Sequence, residues 1–186
     1  TEIYTLSLHD ALPICLIESA INVTRIALFD KPDFLVFIGS AGSYGNYKIF
    51  DVVESVTASN IELSLWRNDS YTPIDNVLKV DNIKVESSVI VNSSNYISTN
   101  QELCSNFIKN GIDIENMEFY SVLQVAKEFN ITCMGIFVVT NYCNEFAHKD
   151  FMANHREAMD KLIQYLIDKK LIFEKNVSRE TFSNNI

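Results

Sequence analysis

The sequence predicts an α/β fold, a three-layer αβα sandwich about a central mixed, twisted sheet. Three observations predict it. Short continuous apolar runs, FLVFI at 34–38, VIV at 89–91 and the stretch TCMGIFVVTN, have the length and β-branched content of strands buried on both faces. Between them lie longer segments with apolar residues three and four apart, the period of amphipathic helices. Finally, 186 residues with 47% apolar and 21% charged side chains suffice for one domain with a real core.

The first fourteen residues, TEIYTLSLHDALPI, are set aside. Residue for residue they resemble an in-frame translation of a sequencing-library adapter, and such segments are excluded before fold reasoning. The domain is expected over 15–170, with a loosely attached tail over 171–186. CLIESAINVTRIALFDK then reads as a helix ending before Pro32, with Ile17, Ala20, Ile21, Thr24, Ala27 and Leu28 as its apolar stripe. DFLVFIGSAGSYG is a buried strand breaking into a Gly/Ser loop. KIFDVVESVTASNIELSLW alternates well enough for one or two strands, and NDSYTPIDN is a loop punctuated by Pro73. SSVIVNSSNYIS is a second buried strand running into a polar loop. NQELCSNFIKNG is a short helix closed by Gly111. DIENMEFYSVLQVAKEFN turns from a short strand into a helix with Phe119, Val122, Leu123, Ala126 and Phe129 on one face. TCMGIFVVTN is a third buried strand, and FMANHREAMDKLIQYLIDKK the last long helix.

Composition excludes several classes of function. A formal net charge of −9 without a basic stripe argues against a nucleic-acid surface, which must neutralise phosphates. No apolar run reaches membrane-spanning length. Cys15, Cys104, Cys133 and Cys143 show no zinc spacing and read as free thiols of a reducing cytoplasm, so the chain is expected to be cytoplasmic and without metal.

In open α/β sheets ligands bind beyond the carboxyl ends of strands. Three such ends carry polar loops, GSAGSYG, NSSNYIST and TNYCNE, and a fourth candidate, ENMEF, sits at a strand-to-helix turn. Each alone has an ordinary structural explanation: a turn, a packed aromatic, a strand end, or an acid complementing a helix dipole. Their order is more specific. FLVFIGSAGS, VIVNSSNYI, NMEFYSVLQVAKEFNI and GIFVVTNYC together resemble the nucleoside phosphorylase/nucleosidase family over about residues 16–166. That family holds purine nucleoside phosphorylases, uridine phosphorylases and methylthioadenosine/S-adenosylhomocysteine nucleosidases.

The resemblance implies cleavage of a ribosyl bond through an oxocarbenium-like transition state. It implies that Glu118 anchors the ribose hydroxyls and that Met117 walls the sugar. Tyr96 would stack on the purine, and the Ile97 backbone would meet the base edge. Ser40 with the amides of Ala41 and Gly42 would floor the site of the attacking water or phosphate. Asn116 stands where the family has the first acid of its E-M-E motif, and Asn141 where it has the acid that helps the base leave. Asn has no acidic proton, but trimeric, 6-oxopurine-selective phosphorylases also use Asn there. The family's hexameric phosphorylases place an Arg where Phe37 stands, and the family's first strands have no counterpart after the adapter-like segment. The resemblance thus implies phosphorolysis of 6-oxopurine nucleosides in purine salvage. Phosphate would be the cosubstrate, no metal or organic cofactor would be needed, and the chain would form a homo-oligomer. The alternatives are a hydrolytic nucleosidase of the methylthioadenosine/S-adenosylhomocysteine type and a catalytically degenerate nucleoside-binding sensor.

Overall fold

The computed structural model describes residues 3–6, 15–80, 83 and 89–171, with 3–6 described through its backbone alone. The strands are β1 (Ile3–Leu6), β2 (Phe34–Ser43), β3 (Val52–Ser55), β4 (Thr57–Ser59), β5 (Val77–Lys79), β6 (Ile90–Ser93), β7 (Ile114–Asn116) and β8 (Thr132–Tyr142). The helices are α1 (Cys15–Phe29), α2 (Leu63–Trp66), α3 (Gln101–Lys109), α4 (Phe119–Glu128) and α5 (Ala147–Asp168). The strands form one mixed sheet in the order β3-β8-β2-β7-β6-β4-β5, with β1 pairing β2 in parallel off that path. The fold is therefore the predicted α/β class.

Strand alternation sorts the core into two layers. From β2 and β8, Leu35, Phe37, Cys133, Phe137 and Val139 face α1 and α4, where they meet Val23, Ala27, Val122, Leu123 and Ala126. Val36, Ile38, Met134, Ile136 and Val138 face the other way, against Ala158, Met159, Leu162 and Leu166 of α5. A third cluster joins α2 and α3 around Tyr44, whose ring stacks on Phe107 at 4.3 Å with Trp66 edge-on to the same phenyl.

Several boundaries differ from the sequence reading, each for a local reason. β2 continues through GSAGS to Ser43 instead of breaking at Gly39, because β8 pairs alongside it throughout, with a register shift at Ala41/Gly42. The α1 stripe is a correction. Ile17, Ile21 and Leu28 stand 50–69% exposed, and the buried row is Ser19, Val23 and Ala27. The helix carries two rows at i, i+4 spacing, and the one with smaller side chains packs inward. Phe129 is half-exposed because α4 ends at Glu128. VLK at 77–79 forms β5 inside a segment read as loop. α5 starts four residues before the expected Phe151, where the Asn144 side chain accepts from the Phe146 amide at 2.8 Å. The reading of α3 holds: Asn100 caps its N-terminus by accepting from the Leu103 amide at 3.0 Å, and Gly111 takes φ +73° just past its end.

The strand position of Ile3–Leu6 concerns backbone alone. The rest of the adapter-like segment lies outside the described residues, as does the tail beyond Leu171. All four cysteines are free thiols, and no described helix is long and apolar enough to cross a membrane.

Gly135 sets the tightest packing in the sheet. Phe37, Phe119 and Phe137 meet over it with centroids 5.1–5.8 Å apart. A methyl group there would overlap the Phe137 ring and approach Phe119 Cε2 to 2.8 Å. Gly135→Ala is expected to destabilise the fold by about 1–3 kcal/mol, read as a lower urea midpoint at unchanged slope.

Candidate functional site

The parallel ladder of β2 and β8 brings two polar strand ends side by side. Beyond the shift at Ala41/Gly42, Gly42 pairs with Asn141 and Ser43 with Tyr142. β7 joins antiparallel on the other side of β2, with Gly42 opposite Glu115. β6 runs parallel to β7, so its end and the 94–100 loop lie beside the end of β7, which the antiparallel pairing turns back toward Ser40–Gly42. The Ser94 hydroxyl accepts from the Tyr96 amide and donates to the Tyr96 carbonyl, a tight turn that holds Tyr96 at the rim, 73% exposed.

These ends enclose a cavity of about 240 Å³. Ser40, Ala41, Gly42, Tyr96, Ile97, Asn116, Met117, Glu118 and Asn141 all line it, so the structure brings together every candidate named from the sequence. Glu115, Thr140, Ala147, His148 and Phe151 also line it and were not anticipated. His148 was hidden by the misplaced start of α5, and Phe151, the first residue of the expected helix, carried no signal of its own; their i, i+3 spacing puts them on one helix face. Nothing in the sequence pattern distinguishes Glu115 from any other residue of a short strand. No Lys or Arg appears among the described residues that line the cavity.

Glu118 sits at the turn into α4. Its Oε2 accepts from the Met117 amide and the Asn116 side-chain amide, both at 3.0 Å, and its Oε1 takes a longer 3.3 Å contact from the Cys15 amide. Burial raises its pKa above the ordinary carboxylate value, partly offset by the Cys15 and Met117 amides. Asn116 works as scaffold. Its Oδ1 accepts from the Ser93 hydroxyl at 2.8 Å and from the Phe119 amide at 3.2 Å, capping α4. Its Nδ2 turns Glu118 into the cavity.

Asn141 is 7% exposed. The Tyr142 carbonyl can only accept, so the atom 3.2 Å from it is the amide nitrogen, and the Thr140 hydroxyl donates to Oδ1 at 2.9 Å. The Asn141 carbonyl is thereby engaged, and its N–H group faces Gly42. A methyl on Gly42 would lie 3.0 Å from both Asn141 Nδ2 and Cys143 Sγ and would press both side chains outward by a few tenths of an ångström.

Glu115 is 7% exposed. It accepts from the Tyr44 hydroxyl and the Ser98 amide, each at 2.9 Å. Burial, and then the Glu115 charge, push the Tyr44 phenol and the Cys143 thiol well above their usual pKa values, keeping both protonated.

A family model described as the phosphorylase superfamily matches residues 66–168, more than half of the chain. That range includes Tyr96, Ile97, Asn116, Met117, Glu118 and Asn141 and leaves out the β2 loop. No curated protein matches by sequence. Among solved structures, the chain is similar to the 5′-methylthioadenosine/S-adenosylhomocysteine nucleosidase of Helicobacter pylori, with TM-score 0.69, 16% identity, and coverage of 84% of this chain and 77% of that one. It is similar to futalosine hydrolase of the same organism, with TM-score 0.69, 17% identity, 84% of this chain and 76% of that one. The Streptococcus pneumoniae methylthioadenosine/S-adenosylhomocysteine nucleosidase aligns with TM-score 0.66, 17% identity, 82% of this chain and 75% of that one. At these identities the likeness is one of fold.

The capping role of Asn116 is testable. Asn116→Ala is expected to lose about 1–2 kcal/mol of stability. Asn116→Asp, which keeps an acceptor for the helix amides but sets a second carboxylate against Glu118, should recover little of it, both read from denaturant midpoints.

Proposed function

We propose that this chain, which belongs to the phosphorylase superfamily, cleaves the N-glycosidic bond of a purine nucleoside with water as the nucleophile. The observation that carries the reading is the convergence of Glu118, Asn141 and the β2 backbone on one cavity whose described lining holds carboxylates and no Lys or Arg. A phosphate dianion calls for charge-assisted donors, and Glu115 and Glu118 would repel it. Water needs neither. The phosphorolysis expected from the sequence therefore gives way to the hydrolytic alternative. The fold neighbours named as nucleosidases and as a hydrolase agree with this reading.

In this mechanism the sugar gains positive charge as the base departs. Glu118 accepts the ribose hydroxyls through Oε1, which among the described residues meets just the long contact from the Cys15 amide, and its charge stabilises the oxocarbenium ion. Met117 packs on the sugar. Tyr96 closes over the base from the rim. The Asn141 N–H donates to the leaving base as negative charge builds there. Ser40, at the end of β2, holds the attacking water with the neighbouring backbone.

The test is base release from inosine, adenosine and 5′-methylthioadenosine, with and without phosphate. Release independent of phosphate is expected. A strict phosphate requirement would restore phosphorolysis, and binding without release would mean a sensor. Glu118→Ala should lower kcat/KM by about a thousandfold or more, the scale of losing a charged transition-state contact. The pH profile supplies a second check. Burial holds the Glu118 pKa above the ordinary carboxylate value, and the ionised form is the anchor. Activity should therefore rise with pH through that elevated value and fall as acid protonates the group. Glu118→Gln should flatten that limb.

A further inference from the structure

At the end of the sheet opposite the cavity lies a groove of about 410 Å³. It forms where α1 turns into β2 and α4 turns into β8. Ala27, Leu28 and Pro32 come to it from the first turn, Phe129 and Ile131 from the second. Ala27, Pro32 and Ile131 are buried, whereas Leu28 and Phe129 stand 51% and 39% exposed among the described residues. Two large apolar side chains beside an apolar hollow favour any apolar segment that can reach them, because its burial removes surface from water on both sides.

The path of the chain names that segment. α5 starts at the cavity, where Ala147, His148 and Phe151 line the wall. Its 22 residues rise about 33 Å, as far as the 11 residues of β8 extend. α5 therefore ends level with the start of β8, and Leu171 just beyond it packs on the core between α5 and the sheet. The groove lies at that same end, since Asp33 precedes β2 and Ile131 precedes β8. After Leu171 the sequence continues IFEKNVSRETFSNNI. Val177 and Phe182 can lie about 20 and 36 Å out along an extended chain. Crossing the sheet end from the α5 layer to the layer of α1 and α4 takes about 20 Å, two packed layers. Charge agrees with this path. α1 has no basic residue in its last turn, and Asp30 and Asp33 outnumber Lys31 in the turn that follows. A helix C-terminus favours a cation, and the tail brings Lys175 and Arg179.

We propose that the tail crosses this end of the sheet and lays residues 177–182 into the groove, with Phe182 against Leu28 and Phe129 and Arg179 toward Asp30 and Asp33. In this reading the tail is a strap rather than the loose attachment expected from the sequence. It joins the C-terminal ends of two helices whose other ends meet at Glu118, which begins α4 and takes a contact from the Cys15 amide of α1. The inference stands apart from the nucleoside reading and uses none of the cavity's residues as its evidence.

Trypsin tests it, because it cuts after Arg179. The full 186-residue chain and a synthetic peptide of residues 172–186 are digested under the same native conditions, with the cut followed by mass. Where docking and release are fast relative to cleavage, the rate follows the undocked fraction, so the bond is expected to be cut at least about tenfold more slowly in the chain than in the peptide. Leu28→Ser combined with Phe129→Ser should bring the rate to within about twofold of the peptide's. Ile21→Ser, exposed on α1 outside the groove, should leave it slow. Circular dichroism verifies that each variant folds. Should the groove variant not fold, Phe182→Ser decides in its place and should abolish the protection. Equal rates in the unaltered chain and the peptide overturn the proposal, and that comparison needs no variant. Protection that survives the groove substitutions in a folded chain, or that survives Phe182→Ser, overturns it too. Protection that vanishes on dilution assigns the groove to a second copy of the chain and likewise overturns it.

Discussion

The parallel pairing of β2 with β8 is the constraint on which the site depends. It runs from Phe34 opposite Thr132 to Ser43 opposite Tyr142. Its inner residues bury against α4 on one face and α5 on the other. A ladder packed on both sides leaves little freedom to slip, since a one-residue slide would turn every core side chain to the wrong layer. The polar ends at Ser40–Gly42 and Asn141 are consequently held in fixed relation by apolar residues far from the cavity. The register shift at Ala41/Gly42 belongs to the same device: it brings Gly42 opposite Asn141 and against Glu115 of β7. Irregularities of this kind re-aim groups at the edge of a sheet.

The cavity is organised by amides and hydroxyls around carboxylates. Asn116 caps α4 and turns Glu118, Thr140 orients Asn141, and Tyr44 and Ser98 hold Glu115. Behind Tyr44, Asn92 donates to the Ile61 carbonyl at 2.9 Å, and its Oδ1 accepts from the Ser59 hydroxyl and the Ile61 amide at the same distance. Buried polar groups are costly when unpaired, and a satisfied network limits the orientations they take. The result is a chain of hydrogen bonds from β4 through β6 and Tyr44 to Glu115 and the loop carrying Tyr96. Shape and electrostatics of that end of the cavity are thus coupled to the sheet interior.

Much of this was legible in the sequence, for reasons that differ by element. β2, β6 and β8 announce themselves as continuous apolar runs because both faces of the central sheet are covered. α3 was bounded by Asn100 and Gly111, whose chemistry acts locally. All nine candidate residues come to one cavity because β7 pairs antiparallel with the last residues of β2, which turns the ends of β7 and β6 back toward Ser40–Gly42 and Asn141. What escaped depends on tertiary context. The inward face of α1 follows from the small residues Ser19, Val23 and Ala27 approaching the sheet layer, which apolar counting alone misjudges. The start of α5 depends on a turn at Asn144. Glu115 carries no signal of its own in so short a strand, and only the arrival of Tyr44 and Ser98 from other segments shows it buried.

The two departures from the family's acids have different physical consequences. At position 116 the amide is an advantage for the local fold. It accepts from the first amides of α4 while donating to Glu118, and a carboxylate there would set two negative charges against one another at the start of the helix. At position 141, on the nucleoside reading, the amide would cost the site a dischargeable proton, and a base leaving as an anion would be stabilised by N–H donation alone. That demand favours leaving groups that carry negative charge well. A purine with a carbonyl at its six-position is such a group, since the charge delocalises onto oxygen. On the nucleoside reading, an amide at position 141 would therefore select for a base that leaves without needing a proton from the protein.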